Sequence, residues 1–214
     1  MGKIFGIDSP VVRFMTKVGE MMVFSVLWLI CCLPIVTAGA ATAALYRMMF
    51  NIHEDRDTRV VEFFRAFGSN FKKATALWMI LLLAGFGLLC LFNLILAVEN
   101  DLLWLVLLVV FCVAAFVVLA SGVYLFPLTA YFENTLTGTL RTAAGMALGN
   151  LKTTIPVCAV LMLPLVLALV SLQLFVVTLF LWVILGPGAL AYGQVCLLIP
   201  VFRQYAPEEN SQEA

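Results

Sequence analysis

The chain alternates long apolar stretches with short polar segments, and this pattern predicts membrane-spanning helices. A spanning helix needs roughly 20 apolar residues, and the runs at 74–98 and 102–132 each meet that requirement. Only Glu99, Asn100 and Asp101 form the polar turn between them. From 155 to 200 no charged residue occurs. A helix of that length is about twice as long as one crossing requires, so we expect two segments, at 154–172 and 174–200.

The first fifty residues allow two interpretations. Ser9 followed by Pro10 is a typical helix start, and the apolar run after it extends to residue 33. Pro34 then ends or bends the helix, and Thr37 is placed to cap a new helix of small residues. One long kinked helix would give five crossings in total, whereas a hairpin of segments at 10–33 and 37–53 would give six.

The distribution of Lys and Arg favours six segments. All 12 basic residues lie in the N-terminal region, two internal polar loops and the C-terminal region. With six segments every one of them is cytoplasmic, whereas with five the N-terminal cations lie opposite those of the first loop. We therefore predict an all-α polytopic transmembrane helical bundle in the cytoplasmic membrane. Both termini are predicted to be cytoplasmic, and residues 205–214 form a short acidic tail.

Prolines and glycines are predicted to break or kink several helices, because Pro removes a backbone donor and Gly adds backbone freedom. The predicted breaks are Pro34, Gly39, Pro127, Pro164, Gly186, Pro187 and Gly188. Discontinuous helices occur at the binding sites of transporters. Proline kinks also occur in membrane helices that carry no substrate, so the breaks leave both functions open.

An amphipathic helix is predicted at 58–72, between the second and third membrane segments. Its aromatic residues recur at helical spacing while basic residues occupy the other positions, a pattern typical of a helix lying on the inner surface of a membrane. Either its Phe residues enter the acyl boundary, or the helix docks a partner protein. The candidate contact residues are Phe63, Phe64, Arg65, Phe67, Phe71, Lys72 and Lys73.

Composition supports the membrane assignment and provides no catalytic chemistry. Hydrophobic residues make up 64% of the chain and charged residues 11%, against roughly 45–50% and 25% in soluble domains. A net charge of zero gives no basis for nucleic-acid binding. The single histidine, His53, lies among acidic residues in what reads as a solvated loop, and no motif for a nucleotide, a catalytic serine or zinc occurs. We therefore expect no catalytic residue, no metal, no cofactor and no enzyme activity.

The predicted spanning segments contain polar residues but no deep charge, although ion-coupled transporters usually place charged groups there. Such polar residues either line a weakly polar cavity or bond between helices, and we favour the second. They are Asn93, Ser121, Tyr124, Thr129, Gln173, Tyr192 and Gln194.

Several segments resemble the YesL-like family of small bacterial polytopic membrane proteins. They are LPIVTAG at 33–39, TAALY at 42–46, FFRAF at 63–67, NFKKAT at 70–75 and PVF at 200–202, together with Ser9-Pro10. The resemblance extends over nearly the whole chain and is most specific in the first 80 residues. It implies a protein of the bacterial cytoplasmic membrane, often encoded beside carbohydrate uptake and degradation systems, in a family whose biochemical role is not established.

We therefore expect a non-enzymatic accessory or regulatory component associated with carbohydrate uptake. Its partners would be the lipid bilayer and the permease or ATPase subunits of a carbohydrate importer, with a second copy of the chain as a further candidate. The alternative is a small transporter or channel-like protein for a neutral solute such as a sugar.

Overall fold

The computed structural model describes residues 10–56, 58–132, 135–150, 152–158 and 186–205, and these residues form helices and no strand. The all-α class is therefore confirmed for this part of the chain. The elements are α1 (Pro10–Cys32), a 3₁₀ turn (Ile35–Thr37), α2 (Ala38–His53), α3 (Val60–Leu96), α4 (Asp101–Tyr131), α5 (Leu136–Gly149) and α6 (Gly186–Tyr205). Residues 152–158, between α5 and α6, are also helical.

α1 and α2 form an antiparallel hairpin that reverses at Pro34. Near the reversal, Trp28 Nε1 of α1 donates to Thr42 Oγ1 of α2 at 3.0 Å. At the other end of the hairpin, Lys17 Nζ lies 2.8 Å from Asp55 Oδ1, just beyond α2. The interpretation of this region as one long kinked helix is therefore wrong, because the chain runs back along itself.

Thr37 precedes α2 but does not cap it with its side chain. Its Oγ1 donates instead to the carbonyl oxygen of Cys31 at 2.5 Å and to that of Pro34 at 2.8 Å. The end of a helix leaves carbonyl groups without an intrahelical partner, and the Thr37 hydroxyl satisfies these carbonyls. The predicted capping role is wrong for this reason.

α2 is the central helix and packs against α1, α3, α4 and α6. Gly39, a predicted break, is instead the second residue of this helix and is buried. A Cβ at this position would lie 2.5 Å from the backbone oxygen of Ala74 and 2.6 Å from the Cβ of Trp78. The prediction of a break is wrong because Gly39 serves the close approach of α2 to α3.

α3 is one continuous helix of 37 residues, about 55 Å long. The sequence analysis divided this region into an amphipathic helix at 58–72 and a membrane segment at 74–98. No Pro occurs in α3, and a single glycine such as Gly68 is tolerated within a helix, so nothing interrupts the backbone between the two parts. The predicted division is corrected to two parts of one rigid element.

α3 and α4 form a second antiparallel hairpin. Asn100 caps α4 by accepting a hydrogen bond from the Leu103 amide at 3.1 Å. Along the hairpin, the ring centroids of Phe92 and Phe111 lie 5.4 Å apart.

Pro127 lies inside α4 and does not break it, since the helix continues to Tyr131. A proline removes one backbone donor, and here it does so close to the end of the helix. Thr129 Oγ1 donates to the Leu125 carbonyl at 2.7 Å, and an Arg47 guanidinium nitrogen donates to the Ala130 carbonyl at 3.0 Å. The predicted break at Pro127 is wrong because α4 continues for four residues beyond it, and the Phe132 amide still donates to the Leu128 carbonyl at 2.9 Å.

Gly186, Pro187 and Gly188 are the first described residues of α6 and are helical. Their predicted break of the last segment concerns the chain before them as well, and it stays a prediction. The Gly188 amide donates to Ser25 Oγ of α1 at 2.9 Å. The residues before Gly186, including the predicted break at Pro164, lie outside the described residues.

Among the described residues, three helices are long and apolar enough to cross a membrane, at Val11–Cys32, Val60–Leu96 and Asp101–Tyr131. They support the prediction of a membrane protein. α2 has 16 residues, which is about 24 Å of helix, against a hydrocarbon core of about 30 Å. The presence of six membrane segments therefore stays a prediction. The segment at 154–172 and the first part of the segment at 174–200 lie largely outside the described residues, as do residues 206–214.

Candidate functional site

Several polar parts of the chain meet at one end of the bundle. The Lys17–Asp55 ion pair joins the first part of α1 to the loop after α2. The Phe50 ring of α2 lies 5.0 Å from Tyr131 at the end of α4 and 6.1 Å from Phe202 of α6. We call this region the charged end, and the candidate functional residues are found here.

Phe63 belongs to the protein core and not to a contact surface. Its side chain is 0% exposed, and its ring stacks on Phe24 of α1 with the centroids 6.1 Å apart. The prediction of Phe63 as a contact residue is therefore wrong. A row of Phe residues on a helix has the same spacing whether it faces lipid or another helix, so the sequence pattern did not separate the two.

Phe67 and Phe71 also face the protein. Both are partly buried and pack on a cluster of small side chains from α2 and α3, namely Ala40, Ala43 and Ala74. Their rings lie 5.6 Å apart. Together with Phe63 they fix the rotation of α3 about its axis, because three aromatic side chains contact the helices beside it.

The remaining predicted contact residues divide between two surfaces. Phe64 is 50% exposed, and Arg65 and Lys72 are also exposed. With Val61, which is exposed one turn before Phe64, they form what we call the outer face of α3. Lys73 is half-buried and lies instead in a cavity.

That cavity, which we call the basic cavity, has a volume of about 890 Å³ and lies between the end of α2, the first half of α3 and the end of α4. Its charged lining residues among those described are Arg47, Arg56, Arg65, Lys73 and Glu62. Four cations therefore face one carboxylate, and the surface is suited to a negatively charged group.

α3 supplies one wall of the basic cavity through a continuous stripe. The stripe follows the spacing i, i+3, i+4, i+7, i+8, i+11, which places side chains on one face of a helix. Its residues are Glu62, Arg65, Ala66, Ser69, Asn70 and Lys73. Arg65 thus borders both the outer face and the basic cavity.

Hydrogen bonds hold several of the lining side chains in place. Ser69 Oγ and Asn70 Nδ2 both donate to the Ala66 carbonyl, at 3.1 and 3.2 Å. Arg47 is fixed by its bond to the Ala130 carbonyl at the end of α4. Arg56 pairs with Glu54 at 3.0 Å, so part of its charge is already balanced.

Four further lining residues were not among the predicted contact residues, namely Arg47, Arg56, Ser69 and Asn70. The spacing of Glu62, Arg65, Ser69 and Lys73 was a readable signal, since it marks a polar stripe opposite the aromatic one. Nothing in the sequence indicated Arg47 or Arg56, because they reach the cavity only through the packing of α2 beside α3.

A smaller cavity of about 480 Å³ lies between the first part of α1 and the loop after α2. Here the hydrogen bond from Lys17 holds the pKa of the Asp55 carboxyl below its usual range. Asp55 adopts a φ of 52°, which Asp and Asn tolerate better than most residues. This ion pair links α1 to the loop and is best explained as a structural connection.

His53 is the last residue of α2 and does not lie in a free loop. Its Nδ1 lies 3.6 Å from Cys196 Sγ, and its ring lies 5.9 Å from that of Tyr192. The contact places His53 between α2 and α6. Within the described part of the chain, no three His, Cys, Asp or Glu side chains form a group that could hold a metal ion.

Polar side chains inside the bundle bond between helices. Tyr46 of α2 donates to Gln194 of α6, and the hydroxyls of Tyr124 and Thr154 lie 3.0 Å apart. Asn93 bonds within its own helix, to the Leu89 carbonyl. These contacts favour the interpretation that such residues hold helices together, while Gln173 lies outside the described residues.

The family model described as "Protein of unknown function, DUF624" matches residues 21–94, about a third of the chain. No match was found among curated proteins or among solved structures. YesL-like proteins belong to the DUF624 family, so the match supports the resemblance seen in the sequence at the level of that family. The matched range holds most of α1, all of α2 and nearly all of α3, including the stripe that lines the basic cavity. The chain is thus similar to a family of unknown function over the helices that build most of the charged end.

Proposed function

We propose that this protein is a non-enzymatic accessory or regulatory component of a carbohydrate importer in the bacterial cytoplasmic membrane. The observation that carries the proposal is the outer face of α3, where Val61, Phe64, Arg65 and Lys72 are exposed at the charged end. An aromatic residue beside an arginine, as Phe64 lies beside Arg65, is a composition common at protein interfaces. The carbohydrate setting comes from the resemblance to YesL-like proteins.

The proposed orientation places the charged end in the cytoplasm. The positive-inside rule favours this side, because basic residues flanking membrane segments are retained there. Under this orientation the outer face lies beside the inner leaflet and next to the loops or ATPase subunits of a neighbouring importer.

The test is affinity purification of the tagged protein from native membranes in a mild detergent, followed by mass spectrometry. We expect permease or ATPase subunits in near-stoichiometric amounts. The double variant Phe64→Ala, Lys72→Gln should lose most of this recovery. Phe86→Ala is the matched control, because Phe86 is exposed on the membrane part of the same helix and should recover the subunits as the wild type does.

Recovery of this chain alone, combined with unchanged sugar uptake after deletion of its gene, would contradict the accessory role. Recovery of two or more copies of the chain without other subunits would favour a homo-oligomer instead.

A small transporter for a neutral solute such as a sugar is the second proposal. It rests on the prolines and the polar residues within the predicted membrane segments, since discontinuous helices are used at transport sites. The bonding of Tyr46, Gln194 and Tyr124 between helices weighs against it, because those groups are not available to a solute. Flux of a labelled sugar into reconstituted vesicles would support it, and absence of flux for all candidate sugars would remove it.

A further inference from the structure

We infer that the basic cavity is a binding site for a phosphate group, carried by a lipid headgroup or by a soluble phosphorylated ligand. This inference does not rest on the accessory role, since it concerns a small ligand in the basic cavity, which shares only Arg65 with the outer face.

The charge of the cavity selects for an anion. Among the described lining residues Arg47, Arg56, Arg65 and Lys73 face a single carboxylate, Glu62. Even when Arg56, which is paired to Glu54, and Lys73 are left out of the count, Arg47 and Arg65 outnumber Glu62 among the described lining residues. Arg65 makes no hydrogen bond or ion pair with the described residues, so its guanidinium group is available to a ligand. Guanidinium groups bind phosphate with two parallel hydrogen bonds, which gives both strength and orientation.

The shape of the cavity leaves room for such a ligand. Ala66 lies in the middle of the α3 wall and contributes a small side chain to the lining. The volume of about 890 Å³ falls within the roughly 300–1,000 Å³ usual for small-molecule sites. Ser69 and Asn70, held by the Ala66 carbonyl, add polar atoms to the wall between Arg65 and Lys73.

The position of the cavity suits a phosphate group near a membrane surface, because the cavity lies at the boundary between the polar and the apolar part of α3. Lys73 is the last polar residue of the stripe, and the apolar part of α3 begins at Ala74. The cavity therefore lies where α3 passes from polar surroundings into the membrane. Charge interactions strengthen as the surrounding dielectric falls, so cations at this boundary bind a phosphate more strongly than the same cations in water.

The experiment uses the full chain purified in a neutral maltoside detergent. Isothermal titration calorimetry measures binding of inorganic phosphate and of glycerol 3-phosphate. Native mass spectrometry in parallel measures retention of phosphatidylglycerol against phosphatidylcholine. The variants are the double variant Arg65→Gln, Lys73→Gln and the control Lys72→Gln, which removes one charge from the neighbouring residue on the outer face.

We expect saturable binding in at least one arm, weakened about tenfold or more in the double variant and by no more than about twofold in Lys72→Gln. Arg65→Lys retains the charge but loses the planar fork, and it should give an intermediate affinity. Thermal unfolding of each variant shows whether it is folded, so that a loss of binding is assigned to the site.

The two arms identify the source of the phosphate. Preferential retention of phosphatidylglycerol, with weak binding of the free phosphates, assigns the site to a lipid headgroup. Saturable binding of glycerol 3-phosphate without lipid preference assigns it to a soluble phosphorylated ligand. The inference is overturned if neither arm shows saturable binding, or if Lys72→Gln weakens binding as much as the double variant, since the attraction would then be a general property of the surface.

Discussion

Two glycines determine how closely helices approach each other in this bundle. Gly39 brings α2 against α3 at Ala74, and Gly188 brings the first described turn of α6 against Met21 and Ser25 of α1. Both sites would place an added Cβ within 2.6 Å of backbone or side-chain atoms. Small residues at crossings are typical of membrane helices, because close packing replaces the hydrophobic effect as the source of association.

Gly39→Ala should destabilise the protein by about 1–3 kcal/mol, because the new methyl group overlaps the Ala74 carbonyl and forces α2 away from α3. Thermal unfolding in detergent, followed by the fluorescence of the adjacent Trp78, measures the loss. Gly85→Ala is the control. A Cβ there meets no atom within 4 Å, so this change should be neutral or should stabilise by about 0.5–1 kcal/mol through helix propensity. Equal unfolding temperatures for the two variants would show that the close approach has no energetic role.

Two adjacent phenylalanines of α3, Phe63 and Phe64, differ in whether they face the protein interior or the outside. Phe63 is 0% exposed and Phe64 is 50% exposed, although both belong to the same aromatic run. Successive residues on a helix point about 100° apart, so one of them faces α1 while the other points outward. Which of the two faces inward depends on where α1 lies, and the position of α1 is set by the hairpin at Pro34.

At the scale of the element, α3 joins the charged end to the membrane without a hinge. Its inner side contacts α2 through Phe67 and Phe71, and further along Trp78 Nε1 donates to the Ile35 carbonyl at 2.8 Å. The rotation of the polar stripe is therefore set by the aromatic contacts beside it and by the Trp78 contact in the apolar part of the same helix.

Insertion of one alanine between Phe71 and Lys72 should test this coupling. It rotates the first part of α3 by about 100° relative to the rest, which withdraws Phe63 from the core and should cost about 3 kcal/mol or more. Insertion of one alanine after Val98, in the turn before α4, is the control and should be tolerated because turns adapt to added length. Thermal unfolding and size-exclusion chromatography report both. If both insertions were tolerated equally, the two parts of α3 would behave as separate elements.

At the scale of the whole molecule, the chain brings the first part of α1 and the last part of α6 to the same end of the bundle. Phe202 of α6 packs on Tyr131 and Phe132 at the end of α4, with ring centroids 5.6 and 5.8 Å away. Lys17 of α1 pairs with Asp55 at this same end. An arrangement with both termini on one side of the membrane is therefore compatible with the packing of the described helices.

Fusion of green fluorescent protein to either terminus should give fluorescence in both cases. Green fluorescent protein becomes fluorescent in the cytoplasm but not after export through the general secretory route. Alkaline phosphatase fused at the same positions is the control and should be inactive in both, since it requires export. Fluorescence at one terminus and phosphatase activity at the other would contradict the six-segment arrangement and favour an odd number of crossings.

The sequence alone determined the helical class, the membrane setting and the approximate bounds of the long apolar helices. These follow from local properties, since a sustained apolar run without charges has few stable arrangements other than a helix in a bilayer. It also located the polar segment that holds the candidate site.

The tertiary structure alone decided which residues of that segment face the protein, the cavity or the outside. Arg47 and Arg56 join Arg65 and Lys73 only because α2 folds back beside α3, and Gly39 reads as a helix break until Ala74 is placed against it. Pro127 likewise lies within a helix, and the bond from Arg47 to the Ala130 carbonyl near the end of that helix forms only through the packing of α2 beside α4. Helical periodicity specifies which side chains share a face of one helix. What that face contacts depends on residues distant in the chain, which only the packing of the helices brings close.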